Sequence, residues 1–329
     1  MKYLIIGSNC FSGGSFINYL LKNRPKAKIY AISRSKEYSS SLLAYKNNLS
    51  KNRVYFHQYD LNNDLEKIVS LIQKETIPYI INFAAQGMVE QSWTNPEEWF
   101  TTNTLSLVKL LDKIYKFTFI KKFLQVSTPE VYGSCGNIKE TMNFHPSSPY
   151  AASKASADLI LYSYFKTQNF PVNFTRASNI YGPYQQLYRI IPKTILMIKK
   201  NKKLQLQGGG KAIRSFIYID DISKATLKIL EEAKPGEIYH LSDSKTISIY
   251  DLVNLICQMM NKNIDDCIEI IGDRIGQDNV YLMNNEKLKK EFSLSPQVNL
   301  KEGILETIQW IEKNYETLKE FPDYYIHKK

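Results

Sequence analysis

The sequence predicts an α/β protein, a doubly wound parallel sheet of Rossmann type followed by a smaller, discontinuous α/β lobe toward the C-terminus. Three observations lead there. Short apolar strand patterns recur through the first 176 residues with helical patterns between most of them, and strands that alternate with helices pair in parallel under helices on both faces. The first strand runs into a glycine-bearing turn that opens a helix. Beyond Arg176 the alternation loses its regularity.

Residues 3–6 are the first strand, and the helix after the glycine turn stops around Asn23-Arg24-Pro25, where proline cannot continue it. Further strand patterns fall at residues 28–32, 54–57, 79–83, 122–126 and 172–175. A helix then follows Ile191-Pro192, a turn-rich stretch occupies residues 207–211, and a strand and helix span 215–230. A strand at 237–241 and helices near 249–260 and 300–315 complete the pattern. No linker rich in Pro, Gly or Ser interrupts it, and no segment repeats. The expected division assigns residues 1–176 and 215–241 to a dinucleotide-binding domain, with 177–214 and 242–329 in the second lobe. A cleft between two such lobes is where a substrate is held.

Composition narrows the function. With 43% hydrophobic and 23% charged residues over 329 positions, the chain has the make-up of a soluble globular protein with a well-buried core. No apolar run approaches the roughly 18 residues of a membrane span, and the start runs directly into a strand, so a cytoplasmic location is expected. Cys10, Cys135, Cys257 and Cys267 have no CxxC spacing and no histidine cluster beside them, which argues for reduced thiols and no metal site. The net charge of +11 is spread along the chain without an arginine-rich stripe. A solvated surface explains it better than nucleic-acid binding, and a basic balance suits an anionic substrate.

The chemistry is concentrated in two stretches, Ser127-Thr128-Pro129-Glu130-Val131-Tyr132-Gly133 and Tyr150-Ala151-Ala152-Ser153-Lys154. Four residues apart on a helix, Tyr150 and Lys154 share a face, and an ammonium beneath a phenol lowers its pKa. A free tyrosine titrates near ~10, and bringing it to neutrality takes roughly 3 units, or about 4 kcal/mol of differential stabilisation of the phenolate. Such a base can deprotonate an alcohol while hydride leaves the same carbon for a nicotinamide.

With the surrounding run SPYAASKASADL, these residues resemble those of the extended short-chain dehydrogenase/reductases and, within them, the nucleotide-sugar 4,6-dehydratases. The resemblance extends over nearly the whole length. It implies an NAD(P)-dependent hydro-lyase, commonly a homodimer through helices that include residues 95–115 and 150–165, with no nucleic-acid or membrane partner. In the implied cycle Thr128 holds the C4 hydroxyl of a hexose and Tyr150 takes its proton as hydride passes to the cofactor. Glu130 then removes H5, the C6 hydroxyl leaves as water, and hydride returns to C6. Pro129 stands where the dTDP-glucose dehydratases have an aspartic acid and the GDP-mannose dehydratases a serine, so Glu130 or a water must protonate the leaving oxygen.

For the cofactor, Gly7, Asn9, Cys10, Phe11, Ser12 and Gly13 lie where backbone amides and a helix dipole receive a pyrophosphate. Cys10 replaces the middle glycine of the family's GxxGxxG. After the second strand, Ser33 and Arg34 offer an arginine and no carboxylate, which points to the 2′-phosphate of NADP, with NAD as the alternative. The resemblance adds Asp60 and Leu61 near the adenine, Ala84, Ala85 and Gln86 along the cofactor, and Asn103 from a helix, together with Tyr150 and Lys154.

For the substrate, a nucleotide sugar, the resemblance implies Gln86, Thr128, Glu130, Asn179 in Arg176-Ala177-Ser178-Asn179-Ile180-Tyr181-Gly182-Pro183, and the diphosphate-gripping Arg214 and Arg274. The opening GSNCFSGG and the STPEVYG segment are most similar to the legionaminic-acid-pathway GDP- or UDP-N-acetylglucosamine 4,6-dehydratases, with GDP-N-acetylglucosamine the candidate substrate. A 4-epimerase or decarboxylase on the same scaffold is the first alternative. A non-catalytic dinucleotide sensor or nucleic-acid-binding protein is the second, though it would have no use for Thr128, Glu130, Tyr150 and Lys154 together.

Overall fold

The computed structural model describes residues 1–272 and 281–327. Its strands are β1 (Lys2–Ile6), β2 (Lys28–Ser33), β3 (Val54–Gln58), β4 (Tyr79–Asn82), β5 (Lys122–Val126), β6 (Cys135–Ile138), β7 (Val172–Ala177), β8 (Asn179–Tyr181), β9 (Leu204–Gln207), β10 (Ile213–Tyr218), β11 (Ile238–Leu241), β12 (Thr246–Ser248), β13 (Ile268–Ile271) and β14 (Tyr281–Met283). Seven of them form one sheet in the order β11-β7-β5-β4-β1-β2-β3, every pair parallel. The six strands expected within the first 176 residues are all present in it.

Alternation along each strand decides what lies on either face. Tyr3, Ile5, Ile29, Ala31, Ile81 and Leu124 face the cluster that holds the Phe11–Asn23 helix, whereas Leu4, Ile6, Tyr30, Ile32, Ile80 and Phe123 belong to the opposite cluster. Both faces are therefore core. Each fully buried Leu or Ile contributes about 1.5–3 kcal/mol relative to exposure, so the central strands are apolar almost throughout.

The order reverses at β1, whose neighbours β2 and β4 lead away in opposite directions. A crevice opens at the carboxyl ends of strands at such a point, and ligands of doubly wound sheets bind there. On the other side of the crevice the chain leaves β7 and enters β8 after a single residue, Ser178. There β10 pairs in parallel with β8 and antiparallel with β12, and two further parallel pairs, β9 with β13 and β6 with β14, stand apart from the main sheet. The Ile219–Glu232 helix then packs on the Phe11–Asn23 helix, and β11 rejoins the main sheet beside β7. Among the described residues no helix is long and apolar enough to cross a membrane, and no group of three or more His, Cys, Asp or Glu could hold a metal ion.

Candidate active site

The turn between β1 and the first helix is held by backbone. Gly7 N and Ser8 N both donate to Ile32 O, at 2.9 and 3.0 Å, and Phe83 N donates to Ile6 O at 2.8 Å, tying the ends of β1, β2 and β4 together. Gly7 has a φ of +87°, and a Cβ there would meet Ala84 N at 2.7 Å, so only glycine fits this approach. Cys10 differs. Its φ of −75° and ψ of 158° are ordinary extended values, and its Sγ accepts from Gly13 N at 3.2 Å as the helix N-cap. A side chain is compatible with the backbone there, which explains how a cysteine takes the place of glycine. Burial pushes the Cys10 thiol up to about 11, against the amides that favour the thiolate, so it stays neutral near pH 7.

The residues of this turn fit a dinucleotide. Gly7 and Gly13 leave a cradle that a Cβ would fill, since one on Gly13 would meet Gly7 O at 2.5 Å. Buried Ser8 Oγ and Asn9 Oδ1 have no hydrogen-bond partner among the described residues. A 13-residue helix starts at Phe11 with its first-turn amides turned toward the crevice end of the sheet. Asn9 Nδ2 donates to the carbonyls of Ser35 and Lys36 at 3.2 and 2.8 Å, fixing the segment that begins with Arg34 directly after Ser33 ends β2.

Farther along, the expected residues divide. Asp60 spends its carboxylate on its own turn, accepting from Asn62 N at 2.8 Å and Asn63 Nδ2 at 3.1 Å, and Leu61 is buried in the core. Asn103 lies on a π-helical turn, Thr101–Leu105, a widening of the kind that recurs at functional sites. Its amide clamps Gln86, accepting from Gln86 N at 2.8 Å and donating to Gln86 O at 3.1 Å, and it also donates to Ser153 Oγ at 2.9 Å. It thereby ties the Ala84-Ala85-Gln86 turn to the helix of Tyr150.

That helix, Pro149–Gln168, starts at Ser148, whose side chain accepts from Ala151 N, with Pro149 preset in the first turn. Tyr150 is half-buried and Lys154 is 2% exposed. Lys154 Nζ donates to Val126 O, the last residue of β5, at 2.8 Å. Burial lowers the Lys154 ammonium to about 8, an effect that the Asp158 carboxylate one helical turn on opposes. Lys154 is thus mostly charged at neutral pH and sits where β5 ends. Thr128 and Glu130 follow directly. Thr128 is buried, and its Oγ1 accepts from Glu130 N at 3.3 Å as cap of the 3-10 turn Pro129–Tyr132. Pro129 occupies the first position of this turn, where its fixed φ is an asset and its missing N–H costs nothing. Proline is therefore well accommodated at position 129. Gly133 closes the turn at φ +68°, with His145 O only 2.4 Å from any Cβ placed there.

On the second lobe, Asn179 is in β8 with Nδ2 donating to Ser215 O at 3.2 Å. Arg214, 7% exposed in β10, donates from Nη1 to its neighbour Ile213 O at 2.8 Å. Arg274 lies outside the described residues.

Two groups of residues at the site were missed by sequence reasoning. Tyr325 donates to Gln86 Oε1 at 3.4 Å and packs edge-on against Tyr188, while His327 stacks on buried Trp99 and pairs with Glu98. No sequence signal announces this return. The other is the buried set Asp158, Arg176 and His240, which did carry a signal: Asp158 continues the face of Tyr150 and Lys154 at the next multiple of four, and Arg176 and His240 are polar residues within strands buried on both faces.

Comparison with known proteins finds the chain similar to nucleotide-sugar enzymes. The family described as GDP-mannose 4,6 dehydratase is matched across residues 4–307. The human dTDP-D-glucose 4,6-dehydratase is 31% identical over 325 residues, covering 97% of this chain and 92% of that protein. The crystal structure of dTDP-glucose 4,6-dehydratase from Bacillus anthracis in complex with NAD is similar with a TM-score of 0.85 and 33% identity, over 96% of this chain and 98% of that one. The Streptomyces venezuelae dTDP-glucose 4,6-dehydratase, solved with NAD bound, has a TM-score of 0.88 at 27% identity over the same shares.

Proposed function

We propose, from the premise that this chain belongs to the GDP-mannose 4,6-dehydratase family and is a hydro-lyase of nucleotide sugars, that it converts an NDP-hexose to the NDP-4-keto-6-deoxy sugar with GDP-N-acetylglucosamine as its substrate. One observation carries the reading. Lys154 Nζ bonds the carbonyl at the end of β5, so the helix of Tyr150 and the turn of Thr128 and Glu130 leave the same point of the sheet.

When bound, a nicotinamide dinucleotide supplies reversible hydride transfer, and the residues for it are Gly7, Asn9, Cys10, Phe11, Ser12 and Gly13 at the pyrophosphate, with Ser33 and Arg34 at the adenosine ribose. Tyr150 takes the proton of the C4 hydroxyl, its phenolate favoured by the Lys154 ammonium. Thr128, whose oxygen already accepts from Glu130 N, directs its own proton to the C4 oxygen. Once C4 is a carbonyl, the carbanion at C5 is an enolate, and a carboxylate at Glu130 is strong enough to remove H5. The C6 hydroxyl departs as water with the proton that Glu130 has taken, since Pro129 has none to give. Asn179, Arg214 and Arg274 are assigned to the nucleotide diphosphate, for which forked guanidinium donors match the phosphate oxygens.

The finer assignments rest on particular residues. NADP is preferred over NAD because β2 ends in Ser33 followed by Arg34, with no carboxylate to receive the ribose hydroxyls. Arg34→Ala should then lose affinity for NADP and keep it for NAD, and equal loss for both would remove the preference. Residues 1–176 and 215–241 are assigned to the cofactor and 177–214 and 242–329 to the sugar nucleotide. A homodimer through the helices of residues 95–115 and 150–165 is supported by Leu105 and Leu159, which are 46% and 50% exposed there. The test of the whole reading is incubation with UDP-, GDP- and dTDP-linked hexoses and mass spectrometry of the products. Loss of water from a GDP-linked N-acetylhexosamine is expected, and release of carbon dioxide or no change of mass would contradict it.

A further inference from the structure

Beneath the turn that carries Thr128 and Glu130 lies a buried polar chain that the reaction as described does not use. Arg176, at the end of β7, and Asp158, on the Pro149–Gln168 helix, have fully buried side chains and pair at 2.9 Å between Nη2 and Oδ2. The same Asp158 oxygen accepts from Ser127 Oγ at 2.7 Å, at the start of the turn. Arg176 Nη1 donates to the Tyr132 hydroxyl, at the end of the turn, and to Thr141 O at 2.9 Å. Tyr132 in turn is 2.7 Å from His240 Nε2, and His240 Nδ1 is 2.9 Å from Asn284 O. A carbonyl can only accept, so Nδ1 carries the imidazole proton and Nε2 accepts from the tyrosine. The chain runs in one direction, from Arg176 through Tyr132 and His240 to Asn284.

Building on the dehydratase reading, we propose that Asp158 and Arg176 form a positioning clasp that holds the Thr128 and Glu130 turn in register with Tyr150, so that oxidation at C4 and proton removal at C5 act on one bound sugar. Stability alone is a poor reason for the clasp. A buried ion pair roughly breaks even against apolar side chains of the same volume, and here Asp158 Oδ1 and Arg176 Nε have no hydrogen-bond partner among the described residues. Direction is what such a pair provides. Its bonds end on both ends of one short turn, Ser127 and Tyr132, and its acid stands on the face of the helix that presents Tyr150 and Lys154. The four residues between those ends include the hydroxyl and the carboxylate that must meet C4 and C5.

The two ends of the turn can be loosened with both members of the ion pair kept, by Ser127→Ala and Tyr132→Phe, each of which removes one hydrogen bond to the pair. The clasp predicts that in both variants cofactor reduction, for which Tyr150 on the helix takes the proton and Thr128 only assists, slows less than removal of H5, seen in the near-ultraviolet absorbance of the reduced nicotinamide during a single turnover. Removal of H5 then lags, by about tenfold to a hundredfold for a displacement of about an ångström. The reduced cofactor should accumulate, substrate deuterated at C5 should show an enlarged isotope effect on product formation, and KM should stay near the parent value. Equal slowing of both steps with a lowered melting temperature would make the network merely structural and overturn the proposal, as would unchanged product formation in both variants. Should one variant not fold, the other decides. The parent, run alongside, must lose water from a nucleotide sugar. If it does not, the dehydratase reading fails first and the clasp falls with it.

Discussion

The two ends of the crevice are built from different materials. At the cofactor turn the positions are set by backbone, with Gly7 N and Ser8 N on Ile32 O, Phe83 N on Ile6 O, and glycines where a Cβ would strike main chain. At the reacting turn they are set by buried side chains, Ser127 on Asp158, Arg176 on Asp158 and Tyr132, and Tyr132 on His240. A site made of backbone tolerates exchange of side chains, as the cysteine at position 10 illustrates. A site made of side chains fails when one is changed.

The largest effect should come where a side chain meets the reacting atoms. Glu130→Gln keeps the shape and removes the proposed base, and product formation should fall by about 10²–10⁴-fold with nucleotide-sugar affinity retained. Turnover at the parent rate would remove Glu130 from the chemistry. At the other end only the backbone is sensitive. Gly7→Ala forces a Cβ against Ala84 N and should cost about 1–3 kcal/mol from the positive φ alone. A lowered melting temperature together with weakened dinucleotide binding is expected, and an unchanged affinity would mean that the turn is not the pyrophosphate site.

Acid sharpens the contrast further. Burial, with the nearby Arg176 and Lys287 charges in support, lowers the His240 imidazole from its ordinary value to about 3. The unfolded chain therefore takes up the proton first as pH falls, so stability is full above about pH 6.5 and lost progressively toward pH 3. Between pH 7 and pH 5 the loss from this group is about 2 kcal/mol. Urea unfolding of the parent and of His240→Gln at both values isolates it, because the Glu140 carboxyl, which burial raises, is common to the two. Parallel slopes would show that His240 is not held neutral. The smallest effect is expected at Cys10→Gly, where a glycine N-cap costs only a few tenths of a kcal/mol. Dinucleotide affinity within about twofold of the parent agrees with that, and markedly weaker binding would show that the Cys10 side chain contributes to the site.

Legibility in the sequence follows the same division. The strands of the main sheet could be read because both faces are core, which leaves runs such as Tyr3 to Ile6 apolar throughout, and the helix boundaries are marked by Pro25 and Pro149. Tyr150 and Lys154 could be read because both lie on one helix, four residues apart. Asp158 left a signal in local spacing, but the joining of residues 127, 132, 158, 176 and 240 could not be read from it, since only the sheet order β11-β7-β5 brings them together. Asp60 was expected near an adenine, and its carboxylate also closes its own turn, a local hydrogen bond open to any short acidic side chain that the expectation left out. The return of Tyr325 onto Gln86 rests on tertiary packing alone.

One measurement reaches the central claim, that a tyrosine and a glutamate on a shared frame oxidise a sugar, strip it of water and restore the cofactor. The reaction is run in deuterium oxide and the product weighed and mapped by NMR. The product expected is a 4-keto-6-deoxy sugar lighter by one water, with a solvent deuteron at C5 and none at C6, because the hydrogen at C6 comes from C4 of the same molecule. A product of unchanged mass, or solvent deuterium at C6, would contradict it.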